Sequence, residues 1–178
     1  MKMPFAPFKT FIFFSIILSL LSFLKSDDLL ISEICRKTRN PNLCSQILKS
    51  NNRARKASSP VQLGVISMDL SKSTAQATKN MIIMLRLRTI DREMRARYKS
   101  CVMNYESAIY YLKLANYYLK GGDFANAGRY TAAALNEPIS CRKIFAVEPK
   151  DVKERNDRLE CLCSVVLAIC NNLYSGRN

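Results

Sequence analysis

Residues 101–141, CVMNYESAIYYLKLANYYLKGGDFANAGRYTAAALNEPISC, decide the fold. Cys101, Tyr105, Ala108, Leu112, Ala115 and Leu119 recur at helical spacing and predict a helix with one apolar face. Gly121-Gly122 break it, and Asp123 is suited to cap a second helix. The matching face of that second helix is Phe124, Ala127, Thr131 and Ala134. Two helices joined by so tight a turn lie antiparallel, which brings Cys101 and Cys141 to the same end of the pair. A bond between them would close a loop worth about 4 kcal/mol in the chain-entropy model.

The second half of this stretch, YLKGGDFANAGRYTAAALNEP, also looks like a tetratricopeptide unit. No second copy occurs at a period near 34 residues, and a lone repeat cannot bury its own face. Further helices lie on either side. From about Val61 to Arg88 runs a long amphipathic helix with apolar positions Ile66, Leu70, Ala77, Met81, Met84 and Leu85. There is no Gly or Pro between Val65 and Lys120, which suits two long helices broken near Thr89-Ile90-Asp91. On the C-terminal side, a charged connection from Arg142 to Lys153 contains Pro149. A last helix follows from about Val152 to Tyr174, with Leu159, Leu162, Val166, Ile169 and Leu173 facing inward.

At the N-terminal side, Leu29 to Thr38 reads as a short helix. Asn40-Pro41 ends it and opens the next, to about Ser50, with Pro41 at the first helical position. Cys35 and Cys44 lie across this turn, and a bond between them would staple the hairpin by about 2.7 kcal/mol, help that an isolated hairpin of this size needs. Residues 51–60, NNRARKASSP, read as a polar, basic, solvated loop. No segment carries strand periodicity bounded by turn signals. The expected fold is all-α: an up-and-down four-helix bundle (61–175) preceded by a short N-terminal helical hairpin (27–52).

A chain of 178 residues suits one domain. It carries 28 Lys+Arg against 14 Asp+Glu, and neither His nor Trp. Lacking His, it has no Ser-His-Asp or Cys-His catalytic pair and no ordinary Cys/His zinc site; no cofactor is expected. Residues 1–26 read as a secretory signal peptide. Lys2 and Lys9 supply its basic end, and Phe11 to Leu24 is an uncharged stretch too short to span a bilayer comfortably. Only Ser26 is small at the expected cleavage point, Leu24-Lys25-Ser26. Cleavage would leave no membrane segment and a net charge of +11. Secretion makes a disulfide framework the default. With all 7 cysteines beyond the signal, at least one stays unpaired.

Four stretches coincide with one family. LISEICRKTRNPNLC (30–44), ARYKSCVMNYESAIYYL (96–112), AALNEPISCRKIF (133–145) and RNDRLECLCSVVLAI (155–169) resemble segments of the plant invertase and pectin methylesterase inhibitors, nearer the latter. The spacing Cys-x8-Cys, then Cys-x39-Cys, carries most of the specificity. The resemblance implies disulfides Cys35–Cys44 and Cys101–Cys141, a four-helix bundle, secretion to the cell wall, and binding that covers the active-site cleft of a pectin methylesterase. It implies no enzymatic activity. Inhibition of an invertase is the alternative within the family. Some invertase inhibitors carry Pro-Lys-Phe before the last helix, where this chain has Pro149-Lys150-Asp151.

Other constellations have competing readings. Cys163 and Cys170 share a helix face but are too far apart to bond, and they read as small buried hydrophobes. Cys161, off that face, is the candidate for an exposed thiol or an intermolecular bridge. Glu148, Asp151, Glu154, Asp157 and Glu160 recur every third residue and could suggest a glycosidase carboxylate pair. The plainer reading is i,i+4 pairing of Asp151 with Arg155 and Glu154 with Arg158 on a solvated face. Arg86, Arg88, Arg92, Arg95, Arg97 and Lys99 crowd one turn. No nucleic-acid motif accompanies them; a soluble basic surface or an acidic pectin partner are the readings left. Opposite the core face of the Cys101 helix lie Met103, Ser107, Tyr110, Leu114 and Tyr117. They read either as a partner surface or as the seat of the N-terminal hairpin. The resemblance places enzyme contacts on the middle bundle helices, so Met103, Ser107, Tyr110, Leu114 and Ser140 are the candidate contact residues. The chain departs from the family here: Met103, Ser107 and Tyr110 are not acidic, and Ser140 precedes Cys141 where Thr is common.

Overall fold

The computed structural model describes residues 29–176; the expected signal peptide, 1–26, lies outside them. The elements are α1 (29–35), α2 (Pro41–Lys49), α3 (Asn52–Arg55), α4 (Pro60–Arg88), α5 (Arg92–Lys120), α6 (Phe124–Lys143) and α7 (Lys150–Ser175), with no strand among the described residues. Five helices start on a capping side chain. Asn40, Asn51, Ser59, Asp91 and Asp123 each accept, on the side chain, the backbone N–H three residues on, satisfying a donor that the helix itself cannot. Pro41 and Pro60 stand at the starts of α2 and α4, where a missing N–H costs nothing. Gly122, at φ 75°, takes a conformation that other residues resist and turns α5 sharply into α6.

Helices α4 to α7 form the up-and-down bundle: α4 packs on α5, α5 on α6, α6 on α7, and α7 closes on α4. Tyr105, Leu112 and Leu119 of α5 are fully buried between their neighbours. A second apolar cluster lies outside the bundle. Ile31, Ile34, Ile47 and Leu48 of the hairpin pack there against Leu162, Val165 and Ile169 of α7 and Leu63 of α4. Helix α7 therefore serves two cores, which is why twelve of its residues are buried rather than one stripe.

Two sequence expectations are corrected and one open alternative is decided. Residues 51–60 are not a solvated loop: Asn51 caps the turn of helix α3, and Ala54 and Ala57 are buried beneath the charged residues around them. The inward face of α4 is also rotated. Ala77 and Met84 are exposed, while Ser67, Ser71, Thr74 and Thr78 are buried beside Met68 and Ile82. The hydroxyls of Ser71 and Thr78 donate to the carbonyls of Ser67 and Thr74 at 2.8 and 2.7 Å, so their burial leaves no unpaired donor. Small side chains here let α7 approach closely; a Cβ on Gly64 would sit 3.3 Å from Ile169. The hairpin does not seat on α5. It packs on α7, where its apolar residues find a partner.

Candidate functional site

Burial of the Tyr105–Leu112–Leu119 face of α5 turns the opposite face outward. Met103 is 59%, Tyr110 58% and Tyr117 73% exposed. Ser107 and Leu114 are half-buried on the same stripe, and Ser140 is exposed on α6. With the hairpin docked elsewhere, no element of the described chain covers this face. Three tyrosines that the sequence reading passed over extend it. Tyr118 stacks on Tyr130 of α6 with centroids 5.4 Å apart and planes 6° from parallel, while Tyr110–Tyr111 and Tyr117–Tyr118 are edge contacts. The signal was the Tyr-Tyr pair repeated after two helical turns. Such rings present large amphipathic area at low conformational cost, and the stack holds them in place.

The α5–α6 pair is fixed at one end by the Cys101–Cys141 disulfide, with Cα atoms 4.7 Å apart. Asn104 donates to Glu137 at 3.0 Å along the same seam. The second disulfide, Cys35–Cys44, ties α1 to α2.

Behind the first disulfide lies a polar network that revises the expected acidic pattern. Arg142 donates to Glu148 at 3.0 Å and to Asp157 at 2.5 Å. Glu160 Oε1 lies 2.8 Å from the same guanidinium, an ion pair off the N–H direction in which that oxygen accepts no hydrogen bond. Asn156, fully buried, donates to Glu148 and accepts from the Tyr105 hydroxyl at 2.6 Å. So Glu148, Asp157 and Glu160 converge on one arginine; along α7 itself Glu154 pairs with Lys150 and Asp157 also with Lys153, both i,i+4, in place of the expected Asp151–Arg155 and Glu154–Arg158 pairs. The reason is tertiary: Arg142 comes from α6 and the carboxylates from α7 and its lead-in. Burial weakens the Arg142 charge, but Glu160, Glu148 and Asp157 outweigh this and leave its pKa raised. Burial likewise pushes the Tyr105 phenol well above its usual range.

Burial raises the pKa of Glu160, against the pull of Arg142. The folded chain therefore holds a proton there at a pH where the unfolded chain has lost it. The stabilisation from this group is fully present below the ordinary carboxylate range and is lost as pH rises through the higher folded value. Glu160→Gln, which mimics the protonated form, is expected to be no less stable than the parent at neutral pH. It should also flatten the rise in stability on acidification. Melting temperatures of the two proteins from about pH 4 to 7 test this; equal slopes would contradict it.

The three free cysteines are all buried. Cys163 and Cys170 belong to the bundle core. Cys161, expected to be exposed, is 4% exposed and sits under the hairpin, because the face of α7 turned away from the bundle is the face that the hairpin covers. Burial pushes the thiols up to about 11 for Cys161, about 12 for Cys163 and about 11 for Cys170, so little reactive thiolate forms near neutral pH. A thiol reagent at pH 8 is expected to label none of them quickly in the native protein and all three in denaturant. Rapid native labelling of Cys161 would mean that the hairpin does not stay docked.

Among the described residues no cluster of His, Cys, Asp or Glu is arranged to hold a metal ion, and no helix is long and apolar enough to cross a membrane. Pro149-Lys150-Asp151 lies at the very start of α7, with Pro149 at the cap position. The arrangement offers an exposed, tyrosine-rich face on a cross-linked helix pair, which is equipment for binding.

A family model described as plant invertase/pectin methylesterase inhibitor matches residues 29–169. A pectinesterase inhibitor from Actinidia deliciosa is 34% identical over 86% of this chain and 84% of its own length. Pectinesterase inhibitor 2 from Arabidopsis thaliana is 28% identical over 79% of this chain and 82% of its own. A crystal structure of a pectin methylesterase inhibitor from Arabidopsis thaliana superposes with a TM-score of 0.63 at 27% identity, covering 80% of this chain and 95% of that one. A mutant form of a pectin methylesterase inhibitor from Arabidopsis gives 0.71 at 27% identity, covering 79% and 95%.

Proposed function

We infer the function from one premise: the chain belongs to the plant invertase/pectin methylesterase inhibitor family. It is an inhibitor of pectin methylesterase and not itself an enzyme. The observation that carries this is the match of nearly the whole described chain to that family, together with relatives named as pectinesterase inhibitors. We propose further that it acts by stoichiometric binding over the enzyme's active-site cleft, with the face of Met103, Ser107, Tyr110 and Leu114, continued by Ser140, as the contact. Exposed aromatic and apolar side chains on a rigid helix pair are the kind of group that dominates such interfaces. Reading residues 1–26 as a signal peptide supports action in the cell wall.

Titration of the purified protein against pectin methylesterase at acidic wall pH is expected to remove activity in proportion to inhibitor added. Unchanged activity at micromolar inhibitor would sink the proposal for that enzyme. Tyr110→Ala is expected to weaken inhibition by about tenfold or more, as for an aromatic anchor at an interface, with little change in melting temperature because the ring is 58% exposed. Full potency in that variant would move the contact to another face. Sucrose hydrolysis by invertase, the alternative, is expected to be unaffected, since Asp151 stands where the aromatic group of the Pro-Lys-Phe pattern would be.

A further inference from the structure

We propose that the cleft between the last turn of α4 and the first turns of α5 binds a carboxylate-bearing polysaccharide. Arg86, Arg92, Arg95 and Lys99 line it, with Leu87 and Ala96 between them, and its volume is about 430 Å³. From 86 to 99 the chain holds six basic residues and two acidic ones. Both acids are already engaged: Asp91 accepts the Met94 N–H as the helix cap, and Glu93 pairs with Arg97. Among the described residues none of Arg86, Arg92 or Lys99 is ion-paired. Arg95 donates to the Thr89 carbonyl from Nε at 3.3 Å and Nη2 at 3.0 Å, so one of the cleft's own cations holds the turn in shape.

The lining has two chemistries. Guanidinium groups take carboxylates in a fork, and uncompensated positive walls favour a polyanion. Leu87 and Ile90, 65% and 94% exposed, add apolar surface at the same tip. A compact inorganic anion has no use for it. A chain of acidic sugar rings does, because each ring has a C–H face beside its carboxylate.

The choice of polymer rests on the reading of the target as a pectin methylesterase. Ester hydrolysis converts a methyl ester and water into a carboxylate, a proton and methanol, so that enzyme leaves negative charge on the polymer where it has worked. By helical spacing Arg92 and Lys99 share one face of α5 with Met103 and Tyr110. Polymer in the cleft therefore holds the inhibitor where the enzyme is, next to the surface that meets it.

The test uses the full secreted chain, with de-esterified and fully methyl-esterified polygalacturonate oligomers and a sulfated glycan of matched charge density. The de-esterified oligomer is expected to bind at low salt and release at high salt, as exposed charge contacts do, and the esterified one not to bind. Arg92→Gln with Lys99→Gln should weaken binding about tenfold, and Lys113→Gln with Lys120→Gln, the same charge change elsewhere on α5, less than twofold. Equal loss in both variants, equal affinity for the sulfated glycan, or no binding at all would overturn the proposal. Inhibition is measured separately on a short esterified oligomer. Inhibition without polymer binding removes this proposal alone. Polymer binding without inhibition removes the reading of the target and leaves the cleft standing.

Discussion

Cys101→Ala with Cys141→Ala is expected to lower stability by about 4 kcal/mol and to abolish inhibition. The bond spans 40 residues of sequence, so its loss returns considerable freedom to the unfolded chain. Both positions are fully buried, and two alanines leave a void in the bundle core. The Cys141 sulfur also accepts a long contact, 3.7 Å, from Asn156, which connects the bridge to the Tyr105–Asn156–Glu148 chain. The seam that presents Met103 and Ser140 would lose its anchor at that end. Denaturant unfolding, with the midpoint and the m-value both measured because the freed unfolded chain exposes more surface, beside the inhibition assay, checks both halves. An unchanged midpoint would show that core packing alone holds α5 to α6. The paired control is Cys35→Ala with Cys44→Ala. That bond closes a short loop, so the expected loss is about 2.7 kcal/mol, confined to the hairpin, with bundle helicity retained and Cys161 newly open to thiol reagents.

Arg142→Ala should destabilise the fold by about 2–3 kcal/mol. Removing one partner of a buried ion cluster leaves the others uncompensated, which costs about 3–5 kcal/mol when fully buried. Arg142 is 34% exposed, and Glu148 and Glu160 only 10% and 14%, so the arginine's own exposure discounts the figure while the carboxylates keep it substantial. The loss should shrink on acidification as the stranded carboxylates take up protons. Arg142→Lys keeps the charge but cannot reach three carboxylates from one planar fork, and an intermediate loss is expected. A change below about 0.5 kcal/mol, the range of ordinary surface substitutions, would show that solvent already screens the cluster.

The sequence by itself determined six of the seven described helices and their order, and missed only the short α3. Periodicity marked the inward faces of α5 and most of α7, Asn40 and Asp123 marked two helix starts, Gly121-Gly122 marked the sharp turn, and the cysteine spacing pointed to the family. These signals are local, and local chemistry expresses them wherever the chain goes. Only the tertiary structure decided what lay between elements. The face of α4 carrying Ser71 and Thr78 reads as polar, but both hydroxyls bond to their own helix and the face packs inward. Cys161 looked exposed because one helix was expected to serve one core, and α7 serves two. The acidic residues of α7 looked solvated because nothing in their own helix reveals that Arg142 arrives from α6. The exposed tyrosine stripe was half legible: its spacing stood in the sequence, and its freedom depended on the hairpin docking against α7. In each case the missing quantity was the identity of the neighbour, which a chain acquires only when distant segments meet.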